Sequence, residues 1–408
     1  MANDVFYFNP TSELAVANGS FSYMPPRLLR DFEQDCSVLP FVFGTSNDFV
    51  LTEKKPSPEF INRLRDAGFE LPEFCSLKEL DLKTGTPLGT IFPWGWSPSA
   101  HFILKNLKAK CGKTFQESPV FNWTEKQALL FERITSLGFL KKFISENPFD
   151  FFIQENMTGI KVDSIAEIEN LLQNKHPLVL KAPLSSSGRG IQIIRKSMLN
   201  TSNRQWIKGI LNQQNYLVAE PFLEKITDLS FQFKISDHGQ AEYLGFSVFE
   251  TNTNGQYQGT FINPKIGNFT LAKILEEAKT LLEITAASLT EGLKDSVFTQ
   301  LHRGFLGIDA MIYMDRQKVK MQPCIEINSR MNMGILTMQI EKKIHEQTSG
   351  KFGLFYGAPG DFKQFATTNV QNNPLKMRNG KLSSGFLSLV EPDGEKQFGA
   401  YILLQTAT

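Results

Sequence analysis

The chain has 408 residues, of which 41% are hydrophobic and 21% charged, and its formal net charge is +1. This length predicts two or three packed units, and the balanced charge offers no basic field to a nucleic-acid backbone or an anionic membrane surface. Four scattered cysteines and the lack of a membrane-length apolar run argue against disulfides and transmembrane segments, so we expect a cytoplasmic enzyme or binding protein.

The first third of the chain alternates short apolar runs with helix-start signals. Apolar runs cover residues 5–8, 38–43 and 90–96, and each has the length of a strand. The first and third runs are followed by serine, threonine or proline residues that are typical of helix N-termini. Strand, turn and helix in repeated order predict an N-terminal parallel α/β domain, to which we assign residues 1–118.

Near residue 115 the hydrophobic pattern changes. Thr124 opens a T-x-x-Q capping box, and apolar residues then keep helical spacing as far as Gly138, which we expect to end the helix. Strict alternation over residues 229–235 predicts a half-buried strand that returns as an antiparallel hairpin. A long helical pattern covers residues 271–293. This part of the chain is therefore predicted to be α+β.

A serine- and glycine-rich loop follows a compact apolar strand at residues 178–180, which Lys181 ends. Its hydroxyl and backbone N–H groups suit a loop that closes over phosphates, and the lysine would neutralise phosphate oxygens. A flexible polar loop with a solvated lysine explains this segment equally well when it is taken alone. The loop residues are Ser185, Ser186, Ser187, Gly188, Arg189 and Gly190.

A second hairpin, predicted from residues 308–314 and 319–328, carries polar residues in a regular pattern near its end. Glu326, Asn328 and Arg330 lie two residues apart from one another, so in a strand they share one face. Mostly apolar residues occupy the other face. The alternative explanation is an exposed polar face with scattered acids.

The register of this hairpin decides whether its acids meet. With a turn near residues 315–318, Glu326 lies one diagonal step from Asp309 on the same face. A slip of two residues would set the two carboxylates directly opposite each other, and a slip of one would separate them. Together with the amide oxygen of Asn328, they would suit Mg²⁺ held between protein and polyphosphate.

Between these two segments lies a weaker signal. An apolar strand over residues 216–219 ends at Glu220, and Phe222 and Asp228 follow. An apolar slot followed by exposed main chain and a carboxylate would suit adenine and its ribose hydroxyls. A solvated glutamate at a strand end is the simpler alternative.

Taken in order, these segments resemble the ATP-grasp superfamily of carboxylate–amine and carboxylate–thiol ligases over residues 120–340. The resemblance implies that Lys181 is the phosphate lysine and that the serine–glycine loop is the lid. It implies that Glu220 and Phe222 belong to the hinge that binds adenine, and that Asp228 holds the ribose. Lys126 lies where the family often has an earlier ATP-contacting lysine, and a solvated lysine in the first helical turn explains it equally well.

The same resemblance extends to the second hairpin. Asp309, Glu326 and Asn328 are similar to the metal ligands of the family, and Arg330 matches the arginine that steadies the transferred phosphate. The next residues, Met-Asn-Met-Gly, replace the prolines or paired glycines of many ligases. This departure from the family pattern predicts an unusual acceptor pocket.

The resemblance implies an α/β and α+β protein in which a two-lobed ATP-grasp domain over residues 119–345 follows the N-terminal domain. Residues 346–408 would form a packing or edge segment. The implied activity, with ATP and Mg²⁺ as cofactors, activates a small-molecule or peptide carboxylate as an acyl phosphate and joins it to an amine or a thiol. The alternatives are a kinase on the same scaffold and a nucleotide-binding protein without turnover.

Overall fold

Three β-sheets organise the part of the protein that the structure describes. The structure is a computed structural model that describes residues 3–83, 85–174, 177–185, 190–253 and 255–406. Two of the sheets have four strands and the third has nine. Within these ranges, no helix combines the length and the apolar character needed to cross a membrane.

The N-terminal part contains a parallel four-stranded sheet in the order β3-β2-β1-β4. The predicted parallel α/β layer is therefore confirmed. Its elements are β1 (Asn3–Tyr7), α1 (Ser12–Asn18), α2 (Arg27–Asp35), β2 (Phe49–Leu51), α3 (Pro58–Asp66), β3 (Glu73–Cys75), α4 (Leu77–Leu82), β4 (Leu88–Pro93), α5 (Pro98–Ile103), α6 (Lys105–Lys108) and α7 (Lys113–Gln116).

One apolar run of this part does not form the predicted strand. Residues 38–43 contain the 3₁₀ helix Leu39–Phe43 instead. Pro40 lies in the first turn of this helix. The fixed φ of proline suits a helical turn, and the N–H that proline lacks would have no partner within the helix at this position. Buried Leu39 and Phe41 then anchor the segment in the core between the parallel sheet and the nine-stranded sheet.

The middle of the chain builds the second four-stranded sheet, in the order β5-β8-β6-β7, with all its neighbouring strands antiparallel. Two helices, α9 and α10, contribute Ile168 and Ile207 to its apolar core. The elements are the 3₁₀ helices Glu125–Phe131 and Glu155–Met157, α8 (Arg133–Glu146), β5 (Ile160–Val162), α9 (Ile165–Asn174), β6 (Leu178–Lys181), β7 (Ile191–Ile194), α10 (Thr201–Gln214) and β8 (Leu217–Pro221).

The predicted helix end at Gly138 is wrong, because α8 continues through this residue to Glu146. Gly138 is exposed and a Cβ added there would meet no atom within 4 Å. We therefore expect Gly138→Ala to raise the free energy of unfolding by about 0.5–1 kcal/mol, because alanine loses less backbone entropy than glycine in a helix. Urea denaturation followed by circular dichroism measures this change.

A contrasting glycine serves as the control for this prediction. A Cβ on Gly307 would collide with Asn332 Nδ2. Gly307→Ala is thus expected to destabilise the protein, since the neighbouring side chains must shift. Lower stability of Gly138→Ala, or equal effects of the two substitutions, would contradict the structure of α8.

The rest of the chain forms the nine-stranded antiparallel sheet, in the order β13-β12-β9-β10-β11-β14-β17-β16-β15. The helical pattern over residues 271–293 is divided at Ala278 into two helices. The elements are β9 (Glu224–Ile235), β10 (Ala241–Thr251), β11 (Tyr257–Ile262), α11 (Pro264–Gly267), α12 (Phe269–Glu277), α13 (Lys279–Leu293), α14 (Val297–Leu301), β12 (Gly304–Asp315), β13 (Lys318–Asn328), α15 (Met333–Glu341), β14 (Thr348–Tyr356), α16 (Asp361–Asn372), β15 (Lys376–Arg378), β16 (Lys381–Ser388) and β17 (Phe398–Thr406).

The hairpin of β12 and β13 turns where the sequence predicts it, with Asp315 opposite Lys318. Arg316 and Gln317 both have positive φ, as a two-residue hairpin turn requires. Further from the turn the register shifts, because three residues of β13, including Pro323, lie opposite the single residue Ala310. Because proline has no backbone N–H to donate to a neighbouring strand, a bulge in the sheet is a favourable position for it.

Candidate active site

A cleft of about 560 Å³ lies between the middle four-stranded sheet and the nine-stranded sheet. Its walls come from β6, β7 and β8 on one side and from β9 to β13 on the other. Residues of α1 and α2 close its N-terminal end. A cleft of this size at the meeting of several structural layers is typical of a site for a nucleotide-sized ligand.

The acids of the second hairpin meet in this cleft. The bulge in β13 places Asp309 directly opposite Glu326, and Asn328 lies two residues further along the same strand. Asn328 Nδ2 donates a hydrogen bond to Asp309 Oδ2 over 3.0 Å. Burial, and then the negative charge of Glu326, raise the pKa of Asp309 to about 7. Two carboxylates and an amide oxygen thus converge on one face.

Lys181 reaches the same cleft from the other sheet. It is 5% exposed, and its Nζ lies 2.5 Å from Glu220 Oε2. Strands β6 and β8 are antiparallel neighbours with Val179 opposite Glu220, which places Lys181 and Glu220 one diagonal step apart on one face. The predicted phosphate lysine and the predicted hinge glutamate therefore form an ion pair.

Arg133 is a buried residue of the cleft, and the sequence alone did not identify it as a site residue. Its guanidinium group donates to Ala182 O over 2.9 Å, to Glu326 Oε2 over 3.0 Å and to Ser185 Oγ over 3.1 Å. It thereby joins the β6–β7 loop to the acidic face of β13. The sequence offers one sign that Arg133 has a role beyond the helix: it is a positively charged residue at the start of α8, where the helix dipole disfavours positive charge.

The predicted adenine and ribose residues also line the cleft, although some of their polar groups are already bonded. The Phe222 N–H donates to Pro177 O over 3.0 Å, so adenine would have to meet other main-chain groups of the hinge. Asp228 Oδ2 accepts bonds from Lys225 Nζ at 2.5 Å and from Thr251 Oγ1 at 2.8 Å. The guanidinium group of Arg195 lies 5.0 Å from the centre of the Phe222 ring.

Arg330 connects the cleft to the N-terminal part. Its Nε donates to Glu13 Oε1 over 2.7 Å, and both side chains are largely buried. Glu13 lies in the first turn of α1. A salt bridge between residues so far apart in the chain has no local sequence signal.

The structure does not bring every predicted residue to the cleft. Lys126 is exposed in the 3₁₀ helix Glu125–Phe131 and does not line the cleft. Gly190 is not a lining residue, but its carbonyl accepts a bond from Ala182 N over 2.8 Å. Ser185 lines the cleft. The predicted loop residues Ser186, Ser187, Gly188 and Arg189 lie outside the described residues.

Four of the described cations in the cleft are held by carboxylates of the same cleft. The pairs are Arg133 with Glu326, Lys181 with Glu220, Lys225 with Asp228 and Arg330 with Glu13. An anionic ligand therefore has to exchange partners with these groups. Such buried pairs contribute little net stability but hold their side chains in fixed positions.

No protein-family model and no curated protein sequence matches the chain. Among solved structures, an ADP complex of N5-carboxyaminoimidazole ribonucleotide synthetase is similar, with a TM-score of 0.51 and 11% identity over 99% of this chain and 92% of that chain. A Rhizobium etli pyruvate carboxylase structure is similar with a TM-score of 0.52 and 12% identity, over 100% of this chain and 36% of that chain. These likenesses concern the fold, and they confirm the predicted ATP-grasp fold.

Proposed function

We propose that the protein is an ATP- and Mg²⁺-dependent ligase that activates a carboxylate as an acyl phosphate and joins it to an amine or a thiol. The observation that carries this proposal is that Asp309 faces Glu326 in the cleft that also contains the buried Lys181. One structure with the same fold is an ADP complex. Facing carboxylates and a buried ammonium group are suited to holding a metal-bound polyphosphate.

The donor set of the β12–β13 face fits Mg²⁺. Among the described residues, no group of three or more histidine, cysteine, aspartate or glutamate side chains could hold a metal ion alone. Two carboxylates with one amide oxygen suit a cation that takes its other ligands from phosphates and water. Asp309, Glu326 and Asn328 would hold it, and the bound ion would neutralise phosphate charge.

The side chains of the cleft would position the reactants and balance their charge. Lys181 would exchange Glu220 for a phosphate oxygen, a charge-assisted bond of similar kind. Arg330, held by Glu13, would stabilise the phosphoryl group while the substrate carboxylate attacks the γ-phosphate in line. The serine–glycine loop would keep water from the acyl phosphate until the amine attacks it.

Two other functions remain as alternatives, and each has a simple test. A kinase would phosphorylate a hydroxyl group and form no acyl phosphate, so hydroxylamine would trap no hydroxamate. A nucleotide-binding protein without turnover would release no ADP under any condition. A screen of ADP release with Mg²⁺ over amino acids, short peptides and polyamines, repeated with hydroxylamine, distinguishes all three.

Replacing Lys181 is expected to weaken nucleotide binding. Lys181→Ala removes the buried ammonium group, and we expect the Kd of MgADP to rise about 10- to 100-fold, since a hydrogen bond to a charged group contributes about 1.5–3 kcal/mol. Isothermal titration calorimetry with ADP and Mg²⁺ measures the change.

Two further variants make this result interpretable. Lys161→Ala removes an exposed lysine from the same sheet and should leave the Kd unchanged. Lys181→Gln keeps a hydrogen-bond donor near Glu220, so it separates loss of the charge from disturbance of that carboxylate. A normal Kd in both Lys181 variants would remove this residue from the nucleotide site.

A further inference from the structure

The N-terminal end of the cleft differs in character from the part that contains the ion pairs. Six mostly apolar residues surround it, and five of them belong to, or pack against, the hydrophobic core between the parallel sheet and the nine-stranded sheet. All but one are only half-buried, so they present apolar surface to the cleft. They are Pro10, Phe32, Trp94, Tyr257, Met333 and Leu354.

Charge is scarce at this end. Most cations that line the cleft in the described part of the chain belong to the middle sheet, to the helix before it or to β9, namely Arg133, Lys181, Arg195 and Lys225. The N-terminal end has Arg330, which is already bonded to Glu13. In the proposed function Arg330 already serves the transferred phosphoryl group, so a separate phosphate on the co-substrate would find no second cation here among the described lining residues.

An apolar stripe leads from this end to the surface. Phe32 follows Leu28 by one helical turn in α2, and residues at this spacing share a face. Leu28 is 39% exposed, and in the loop before the helix Phe21 and Met24 are 52% and 68% exposed. None of the residues of α2 is buried. Apolar surface therefore continues from the cleft to solvent.

We propose that this end binds one co-substrate through an aromatic or branched aliphatic group, and that this co-substrate carries no phosphate there. The inference rests on the proposed ligase function, since it names the class of molecule that is joined. Burial of an apolar group against these side chains supplies the affinity. The Glu13 carboxylate beside Arg330 provides an acceptor for the N–H groups of an attached amine.

The test measures binding of small probes to the full chain in the presence of MgADP. The probes are 2-phenylethylamine, 3-methylbutylamine and ribose 5-phosphate. Their binding is detected by saturation-transfer NMR, and their affinity is measured by titration. We expect both apolar amines to bind and ribose 5-phosphate not to bind at this end. Leu354→Lys, which places a cation among the apolar side chains, should weaken binding of both amines about tenfold or more.

Two variants keep the test decisive. Leu354→Ala removes apolar contact without adding charge, and it should weaken the amines several-fold even if the lysine variant fails to fold. Met377→Lys adds a cation at an exposed site on β15, outside the cleft, and should change nothing. Amine binding that both Leu354 variants leave unchanged would overturn the inference.

The outcome also separates this inference from the function on which it rests. If MgADP binds but neither amine does, or if ribose 5-phosphate binds in competition with them, the assignment of the apolar end is wrong and the ligase proposal stands. If MgADP itself gives no calorimetric or thermal-shift signal, the proposed function fails and the inference fails with it.

Discussion

Glu326→Gln is expected to lower the rate of ADP release at least about 10³-fold while leaving the fold intact. Glutamine keeps the size of the side chain and an oxygen that can accept from Arg133, but it loses the charge that a hard cation prefers. Removing a group that balances developing charge at a reaction centre typically costs about 10²–10³ in rate, and here it also weakens metal binding. The rate is measured with saturating ATP and Mg²⁺, and stability by thermal unfolding.

The choice of glutamine over alanine is important for this experiment. Arg133 is buried, and alanine at position 326 would leave its guanidinium group without a carboxylate partner, a change that can cost about 3–5 kcal/mol. Glu242→Gln, at an exposed position of β10, is the matched control and should have normal activity. If Glu326→Gln is as active as the control, the metal site proposed on the β12–β13 face is incorrect.

Asp309→Asn is expected to stabilise the protein at pH 8 when no divalent cation is present. Burial and the charge of Glu326 raise the pKa of Asp309 from 3.8 to about 7. The folded state therefore binds the proton more tightly than the unfolded state, and stability is lost as the pH rises from about 4 to about 7. At 1.36 kcal/mol per pKa unit, relief of this penalty is worth roughly 2–4 kcal/mol.

The pH dependence of the stability gain shows whether ionisation of Asp309 is its cause. The gain should be present at pH 8 and nearly absent at pH 4, where Asp309 is protonated in the folded state and about half protonated in the unfolded state. Denaturation in urea at pH 4, 6 and 8 with a chelator measures it, and Asp237→Asn at an exposed turn is the control. Added Mg²⁺ should stabilise the original protein more than the variant. A variant that is less stable at every pH would contradict the assigned environment of Asp309.

Local patterns in the sequence were sufficient to predict the acidic hairpin. Alternation of polar and apolar residues fixes which side chains share a face, and the turn residues fix where the strands reverse. The sequence left two registers open for Asp309 and Glu326, and the bulge at Pro323 decided between them. A bulge of this kind depends on how the whole strand packs, so the pattern alone does not determine it.

Contacts between segments far apart in the chain could not be predicted from local sequence patterns. The apolar run at residues 38–43 has the length of a strand but forms a 3₁₀ helix, because short apolar runs do not distinguish the two. The contacts of Arg133 and Glu13 exist only after distant segments have packed together. The order of the nine-stranded sheet likewise depends on pairing between strands far apart in sequence, such as β11 with β14.

The paired charges of the cleft influence which anions can bind there. Among the described lining residues, five cations are matched by five carboxylates, so the groove is close to electrically neutral before a ligand arrives. Stray inorganic anions thus gain little by entering it. A nucleotide that draws Arg133 away from Glu326 exposes a carboxylate, and a divalent cation that travels with the nucleotide can replace the lost positive charge. The groove would accordingly favour the metal complex of a nucleotide over the bare anion.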